Sequence, residues 1–316
     1  MVKVIGIYRE QNIARKPGSD NRILDLTADE LRKRGFQVEL KTLREIKSGE
    51  TVDIILNMAR SEAINDILFE KATQEMYVLA SVKAMANSSV SESKGYVKLD
   101  DVDVILDMAR GADVNSVLVN KETKGVYIVN PPKSVILTSN KKELFPMLAQ
   151  AGVNIPESKV YKTAELSIND IKQKSILKAA NRHSLYFVVD VNEVSELTSA
   201  IKKYTEAGVE EVIVEKFENG QMYKYYIVND VFFLPDDIEN KMSHSLIKEI
   251  KDQIRLIGET ANLSIYGGDM IINEDKVFFT DVNDWPSFSG AESVKQEDVA
   301  SYIADFIVND YKKFKK

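Results

Sequence analysis

One segment of the chain occurs twice. Val52-Asp53-Ile54-Ile55-Leu56-Asn57-Met58-Ala59-Arg60 returns as Val102-Asp103-Val104-Ile105-Leu106-Asp107-Met108-Ala109-Arg110, fifty residues on and without gaps. The match continues through Asn65 and Asn115, Leu68 and Leu118, Tyr77 and Tyr127, and Lys83 and Lys133. Two copies are too few for a solenoid, whose units each need neighbours on both sides. The pattern instead predicts a strand-helix-strand module duplicated within one domain, over 52–89 and 102–139. Upstream, Val2 to Tyr8 is β-rich. Ile23, Leu24, Thr27 and Leu31 come next at helical spacing, Gly35 stands at the C-cap position, and Phe36 to Leu40 alternates like a strand. Strand, helix, strand at this spacing is a βαβ unit, so the expected sheet is parallel.

Asn130-Pro131-Pro132 and Asn154-Ile155-Pro156 interrupt regular structure. Between them, Leu144, Met147, Leu148 and Ala151 recur at i, i+3, i+4 and i+7, with Gly152 after them. Pro146 falls inside this helical pattern, where it removes a hydrogen bond. Beyond Pro156, 175–178 and 186–189 read as paired strands and 194–203 as a helix. Glu211 to Val214 reads as a strand, Glu215 to Gly220 as a connector, and 223–228 with 231–234 as a hairpin through Asn229-Asp230. Leu246, Ile250, Ile254 and Ile257 stripe a further helix. A last hairpin, 268–272 with 276–282, precedes an amphipathic helix near 299–306 and a lysine-rich tail.

Composition narrows the chemistry. The 316 residues include no cysteine, which excludes disulfides, thiol nucleophiles and thiolate zinc sites. Two histidines, His183 and His244, exclude a three-histidine metal centre. The net charge of −7 is opposite to the basic balance of a nucleic-acid binder, so none is expected as partner. No apolar run approaches the roughly 18 residues of a membrane span. The first eight residues are expected to form a strand rather than a secretory signal, and the expected compartment is the cytoplasm.

Neither a G-x-x-x-x-G-K-[ST] loop nor a G-x-G-x-x-G turn is present. The strongest constellation is Asp269, Asp281 and Asn283. Asp281 and Asn283 are two apart on one predicted strand and so share a face, and Asp269 lies on its hairpin partner. Three oxygen donors without histidine or cysteine suit a hard cation such as Mg²⁺. Lys178 ends an apolar strand and precedes the polar turn Asn181-Arg182-His183-Ser184. Arg60 and Arg110 each come just after a copy of the repeated strand, at the end that faces the ligand crevice of open parallel sheets.

Taken in order, these segments resemble an ATP-grasp protein of the glutathione-synthetase and ribosomal-protein glutamate-ligase type. The resemblance runs from about Asn130 to Ile307. It rests on Asn130-Pro131, Lys141 eleven residues before Gly152, Ile176-Leu177-Lys178, and Val214-Glu215-Lys216-Phe217-Glu218-Asn219-Gly220. It continues with Tyr223-Lys224-Tyr225-Tyr226-Ile227-Val228, Tyr266-Gly267-Gly268-Asp269, and Asp281-Val282-Asn283-Asp284-Trp285-Pro286-Ser287-Phe288. The last string is the most specific, being similar to the family's E-V-N-x-x-P-G-F.

The resemblance implies a Rossmann-like N-terminal domain, 1–139, and after it an ATP-grasp fold with a central subdomain, 140–210, and a C-terminal subdomain, 211–316. It implies ATP and Mg²⁺ as cofactors. Lys141 and Lys178 would hold the α- and β-phosphates, and Glu215, Lys216, Phe217 and Glu218 would form the hinge along the adenine. Asp269, Asp281 and Asn283 would hold Mg²⁺. Lys224 stands where many members have an arginine near the transferred phosphate. The family's glycine-rich loop after the second lysine has no counterpart, because no glycine lies between Gly152 and Gly208. Arg182, His183 and Ser184 are the candidate donors there. The expected activity is an ADP-forming ligase joining a small-molecule or peptide carboxylate to an amine through an acyl-phosphate. A small-molecule kinase on the same fold, similar to inositol-phosphate kinases, and a nucleotide-binding module without turnover stay open. Arg9, Arg60 and Arg110 point to an anionic substrate. Self-association also stays open.

Overall fold

The structure, a computed structural model, describes residues 3–7, 20–41, 54–57, 104–107, 127–171, 173–180, 186–189, 194–289, 295–314 and 316. The N-terminal sheet holds β1 (Lys3–Ile7), β2 (Gln37–Lys41), β3 (Ile54–Asn57), β4 (Val104–Asp107) and β5 (Tyr127–Val129). All four pairings are parallel, and the order is β2-β1-β3-β4-β5. The two copies of the repeated segment are β3 and β4. They lie side by side with equivalent residues opposite each other, Ile54 with Val104 through Asn57 with Asp107. Arg9, Arg60, Arg110, Arg182 and His183 lie outside the described residues, as do most of the two duplicated modules.

Helix α1 (Asp20–Lys33) buries Ile23, Leu24, Thr27, Ala28 and Leu31, the expected stripe with Ala28 added. Gly35, just beyond it, takes φ +87°, which a side chain would resist. The stripe packs on the last helix, α7 (Gln296–Phe314), through Val299, Ala300, Ile303, Ala304 and Ile307. Helix α7 is longer than its apolar pattern suggests. The expected tail is its last turn, where Lys312 and Lys313 favour the C-terminal end of the dipole.

Asn130-Pro131-Pro132 does not merely interrupt structure; it starts one. Pro131 is the N-cap and Pro132 the first residue of α2 (Pro132–Ser139), where a missing N–H costs nothing. Helix α3 (Lys141–Ala151) keeps Pro146 inside it. The lost bond would have gone to Lys142, and both residues face solvent, so water can satisfy the orphaned carbonyl. The buried face is Leu144, Phe145 and Leu148, with Lys141 one turn before; Met147 and Ala151 are exposed, contrary to the expected stripe.

The rest of the chain builds two antiparallel sheets. One has the order β6-β9-β7-β8, from β6 (Ser158–Lys162), β7 (Ser175–Ala179), β8 (Tyr186–Val189) and β9 (Glu211–Lys216). Helix α4 (Val194–Glu206) covers it with Leu197, Ala200 and Tyr204. Strand β6 has no apolar alternation, so no strand is expected there from periodicity. Strand β9 runs through Glu215 and Lys216, which were expected in a connector; Glu215 faces both Ser158 and Ile176. The expected boundary at 210 therefore falls in front of a strand that is hydrogen-bonded into the preceding sheet. Helix α3, expected with the central subdomain, packs instead with the C-terminal elements.

The other sheet has the order β11-β10-β12-β13, from β10 (Gln221–Val228), β11 (Val231–Phe233), β12 (Ile265–Asn273) and β13 (Lys276–Asp284). Short helix α5 (Asp236–Lys241) and long helix α6 (His244–Ala261) connect β11 to β12. Ser243 caps α6 by accepting from the Leu246 amide. Ile250, Ile254 and Ile257 of α6 and Leu144, Phe145 and Leu148 of α3 share one core with Tyr225, Met270 and Phe279 of the sheet. Among the described residues, no helix is long and apolar enough to cross a membrane.

Candidate active site

The hairpin β12–β13 places the acidic pair. Asp269 and Asp281 stand directly opposite each other, and the register shifts just after Asp269. Along β13 the burial alternates, with Thr280, Val282 and Asp284 inward and Asp281 and Asn283 toward the open side. Lys224 faces Asp269 from β10. Three adjacent strands thus present a cation and two carboxylates in one row.

Close approach of the backbones makes this row possible. A Cβ on Gly268 would collide with the Asp281 carbonyl oxygen and lie 2.8 Å from the Tyr225 hydroxyl. One on Gly267 would meet the Tyr225 carbonyl oxygen at 2.5 Å. The Gly267-Gly268 pair is therefore a packing requirement beside Asp269. Tyr225 is buried beneath the row and donates its hydroxyl to the Asp281 carbonyl at 3.2 Å. Burial pushes its phenol well above the ordinary value, so it serves as a neutral donor.

The lysines arrive from other elements. Lys141 opens α3 and donates from Nζ to Asp281 Oδ1 at 2.6 Å. Asn283 Nδ2 donates to the other oxygen, Oδ2, at 2.6 Å. Lys178, near the end of β7, donates to both oxygens of Glu215, at 2.7 and 2.8 Å, and to the carbonyl of Thr280 on β13 at 2.7 Å. Lys224 donates to Asp269 Oδ1 at 2.7 Å. Glu215 is fully buried. Burial raises its carboxyl pKa, the Lys178 ammonium pulls it back, and the balance stays above the usual value. Lys141 and Asp281 also act on Glu215, and Asp281 acts on Lys224, so these pairs form one electrostatic cluster. Burial alone would lower the Lys224 pKa; the bond to Asp269 outweighs it and leaves the ammonium above its usual value.

The expected hinge residues lie next to this cluster. Lys216 pairs with Glu218 at 2.9 Å, and Lys174 sits 4.1 Å over the ring of Phe217. The structure therefore brings together Lys141, Lys178, Glu215, Lys224, Asp269, Asp281 and Asn283. Sequence reasoning missed the pairing of Lys178 with Glu215. They stand diagonally on one face, because Ile176 and Lys178 are two apart and Ile176 is opposite Glu215. The signal was a charged residue at an inward position of each strand, but only the β7–β9 pairing joins them.

The donor set fits a hard cation in number and kind, with two carboxylates across one strand pair and an amide two residues on. Among the described residues, no group of three or more histidine, cysteine, aspartate or glutamate side chains could hold a metal. A cation here would draw its remaining ligands from elsewhere, as Mg²⁺ does from water and phosphate.

No family model matches the sequence, and the search of curated proteins gives no match. Solved structures do match. A D-alanine–D-alanine ligase from Bacillus anthracis complexed with ATP aligns at a TM-score of 0.64 and 14% identity, covering 99% of this chain and 98% of that one. The VanG D-Ala:D-Ser ligase of Enterococcus faecalis aligns at 0.61 and 17%, covering 98% and 100%. A RimK domain ATP-grasp protein from Sphaerobacter thermophilus aligns at 0.59 and 15%, covering 96% and 99%. At such identities the likeness establishes the fold, and the fold is ATP-grasp.

Proposed function

We propose that this ATP-grasp chain is an ADP-forming ligase joining a carboxylate to an amine. The observation that supports it best is the cluster of Lys141, Lys178 and Lys224 with Glu215, Asp269, Asp281 and Asn283, gathered from β7, β9, β10, β12, β13 and α3. Similar folds named as D-Ala–D-Ala and D-Ala:D-Ser ligases support the reaction class.

In this reading a substrate carboxylate oxygen attacks the γ-phosphorus of ATP. The bond to the β–γ bridging oxygen breaks, ADP leaves, and an acyl-phosphate forms. An amine then attacks the acyl carbon, loses a proton, and expels inorganic phosphate as the amide forms. Lys141 and Lys178 hold the phosphates as point charges on largely buried stems. Glu215, Lys216, Phe217 and Glu218 flank the adenine. Lys224 orients and neutralises the transferring phosphoryl oxygens. Asp269, Asp281 and Asn283 would hold Mg²⁺, which would supply charge neutralisation on the phosphate oxygens. Positioning and charge carry most of phosphoryl transfer, so these residues suffice without a dedicated nucleophile. Arg9, Arg60 and Arg110 are assigned to an anionic substrate, and Arg182 and His183 to the phosphate-covering turn.

The test is an ADP-release screen with Mg²⁺ over amino acids, short peptides and polyol phosphates, each with and without an added amine. Release of ADP together with free phosphate and an amide is the expected result. A stable phosphoester without free phosphate would instead make the protein a kinase on this fold.

A further inference from the structure

In this cluster the groups assigned to two different ligands hold each other. Asp281, the central carboxylate of the proposed metal site, has Lys141 on one oxygen and Asn283 on the other. The Lys141–Asp281 pair is well shielded, with side chains 9% and 24% exposed. Lys224 likewise takes an oxygen of Asp269. In each pair, a lysine assigned to phosphate holds an aspartate assigned to metal.

We propose that Lys141 is an internal counterion that blocks the metal site until nucleotide draws it away. This rests on the ATP-dependent reading above and adds a regulation of the same site. A divalent cation arriving alone meets an Asp281 whose oxygens are engaged and an ammonium 2.6 Å from Oδ1. To bind, it must expel Lys141 from the carboxylate that pairs with it. Unpaired charge in a shielded site is costly. Metal-free nucleotide meets the converse penalty, because taking Lys141 strips Asp281 of its counterion. When both arrive together the exchange is balanced: Lys141 moves from carboxylate to phosphate, and Asp281 moves from lysine to metal. The consequence is that neither ligand binds well alone and each promotes the other, to a reciprocal extent. The site is thereby protected from occupation by free divalent cations and commits only to metal-nucleotide.

Two single-ligand measurements on the full chain test this. Electron paramagnetic resonance reads Mn²⁺ binding in the absence of nucleotide. Lys141→Met, which keeps the side-chain length and removes the charge, is expected to bind Mn²⁺ at least about tenfold more tightly than the parent, the scale of about 1.4 kcal/mol. Lys142→Met is the charge control. Lys142 pairs with Glu211 rather than Asp281, so its Mn²⁺ affinity should stay within about twofold of the parent. Calorimetry in EDTA reads ADP binding without metal, and Asp281→Asn is expected to bind metal-free ADP at least about tenfold more tightly than the parent. An unchanged Mn²⁺ affinity in Lys141→Met, or an equal gain in Lys142→Met, would overturn the proposal. Should Lys141→Met not fold, the Asp281→Asn measurement decides alone, and an unchanged ADP affinity would overturn it. Failure of the parent to bind Mn·ADP at all is a different outcome: it would remove the ATP-dependent reading, and this proposal with it.

Discussion

Lys178 on β7 donates to the main-chain carbonyl of Thr280 on β13, so one ammonium ties the two antiparallel sheets together. The same nitrogen holds both oxygens of the fully buried Glu215. Lys178 is therefore both a structural clasp and the candidate phosphate ligand.

Lys178→Met should separate these roles. It leaves Glu215 buried without its partner, a loss of roughly 3–5 kcal/mol by analogy with other broken buried pairs. Adding Glu215→Gln removes the stranded charge and should restore much of that stability. Nucleotide affinity should stay at least about tenfold weaker in both variants, the loss of one charge-assisted contact. Chemical denaturation and calorimetry check the two halves. Recovery of affinity together with stability would deny Lys178 a phosphate role.

Glu215 also predicts a pH dependence. Its pKa in the fold is raised above the ordinary 4.5, first by burial. Between the ordinary and the raised pKa, the native state therefore binds more of this proton than the unfolded chain does. Stability from this group is complete below the ordinary pKa and is lost as pH rises through the raised one. Urea unfolding of the parent and of Glu215→Gln, compared from pH 4.5 upward, should show the parent losing stability relative to the variant. A constant difference between them would contradict the assigned burial.

Gly268→Ala should damage the site through its backbone. The new methyl would have to displace the Asp281 carbonyl, with which it collides. Overpacking of this kind costs about 1–3 kcal/mol, and the forced shift falls on the Asp269–Asp281 pair. Melting temperature and Mg·ADP affinity should therefore fall together, which paired thermal and calorimetric measurements would register.

Asn130 and Asp269 make a contrasting pair. Asn130 is buried; it donates to the Ile265 carbonyl and accepts from the amides of Ser264 and Ile265. Asn130→Ala should cost on the order of 3 kcal/mol, since three partners lose a bond at once. Asp269→Asn should leave stability within about 1 kcal/mol, because its partner Lys224 is 55% exposed. Turnover should be lost only in the second. Denaturation curves and an ADP-release assay distinguish the two.

Periodicity accounts for most of the fold that is legible in the sequence. The stripe of α1, the stripe of α6 and the alternation of β2 are the periodic signals, and each stands where expected to within a residue or two. The hairpin that carries Asp269 and Asp281 was readable, but their direct pairing was not: continued from Asn273 opposite Lys276, the register would set Asp269 opposite Thr280, and the shift just after Asp269 brings it to Asp281. Strand β6 was not readable either, since its exposed Ser158 and Lys159 carry no alternation. Pro131 and Pro132 signalled a break, but a proline can end one element or open another, and here the helical run after Pro132 decides for the second. The links from Lys141 to Asp281 and from Lys178 to Glu215 span elements far apart in the chain, and no local pattern encodes such contacts.

The central claim is that this cluster binds a metal-nucleotide. Calorimetric titration of Mg²⁺ with a non-hydrolysable ATP analogue into the full chain tests it most directly, with Asp281→Asn in parallel. The account predicts one site per chain in the parent and at least about tenfold weaker binding of the metal complex in the variant. Absence of binding to the folded parent at millimolar analogue, or equal affinity in the two proteins, would contradict it.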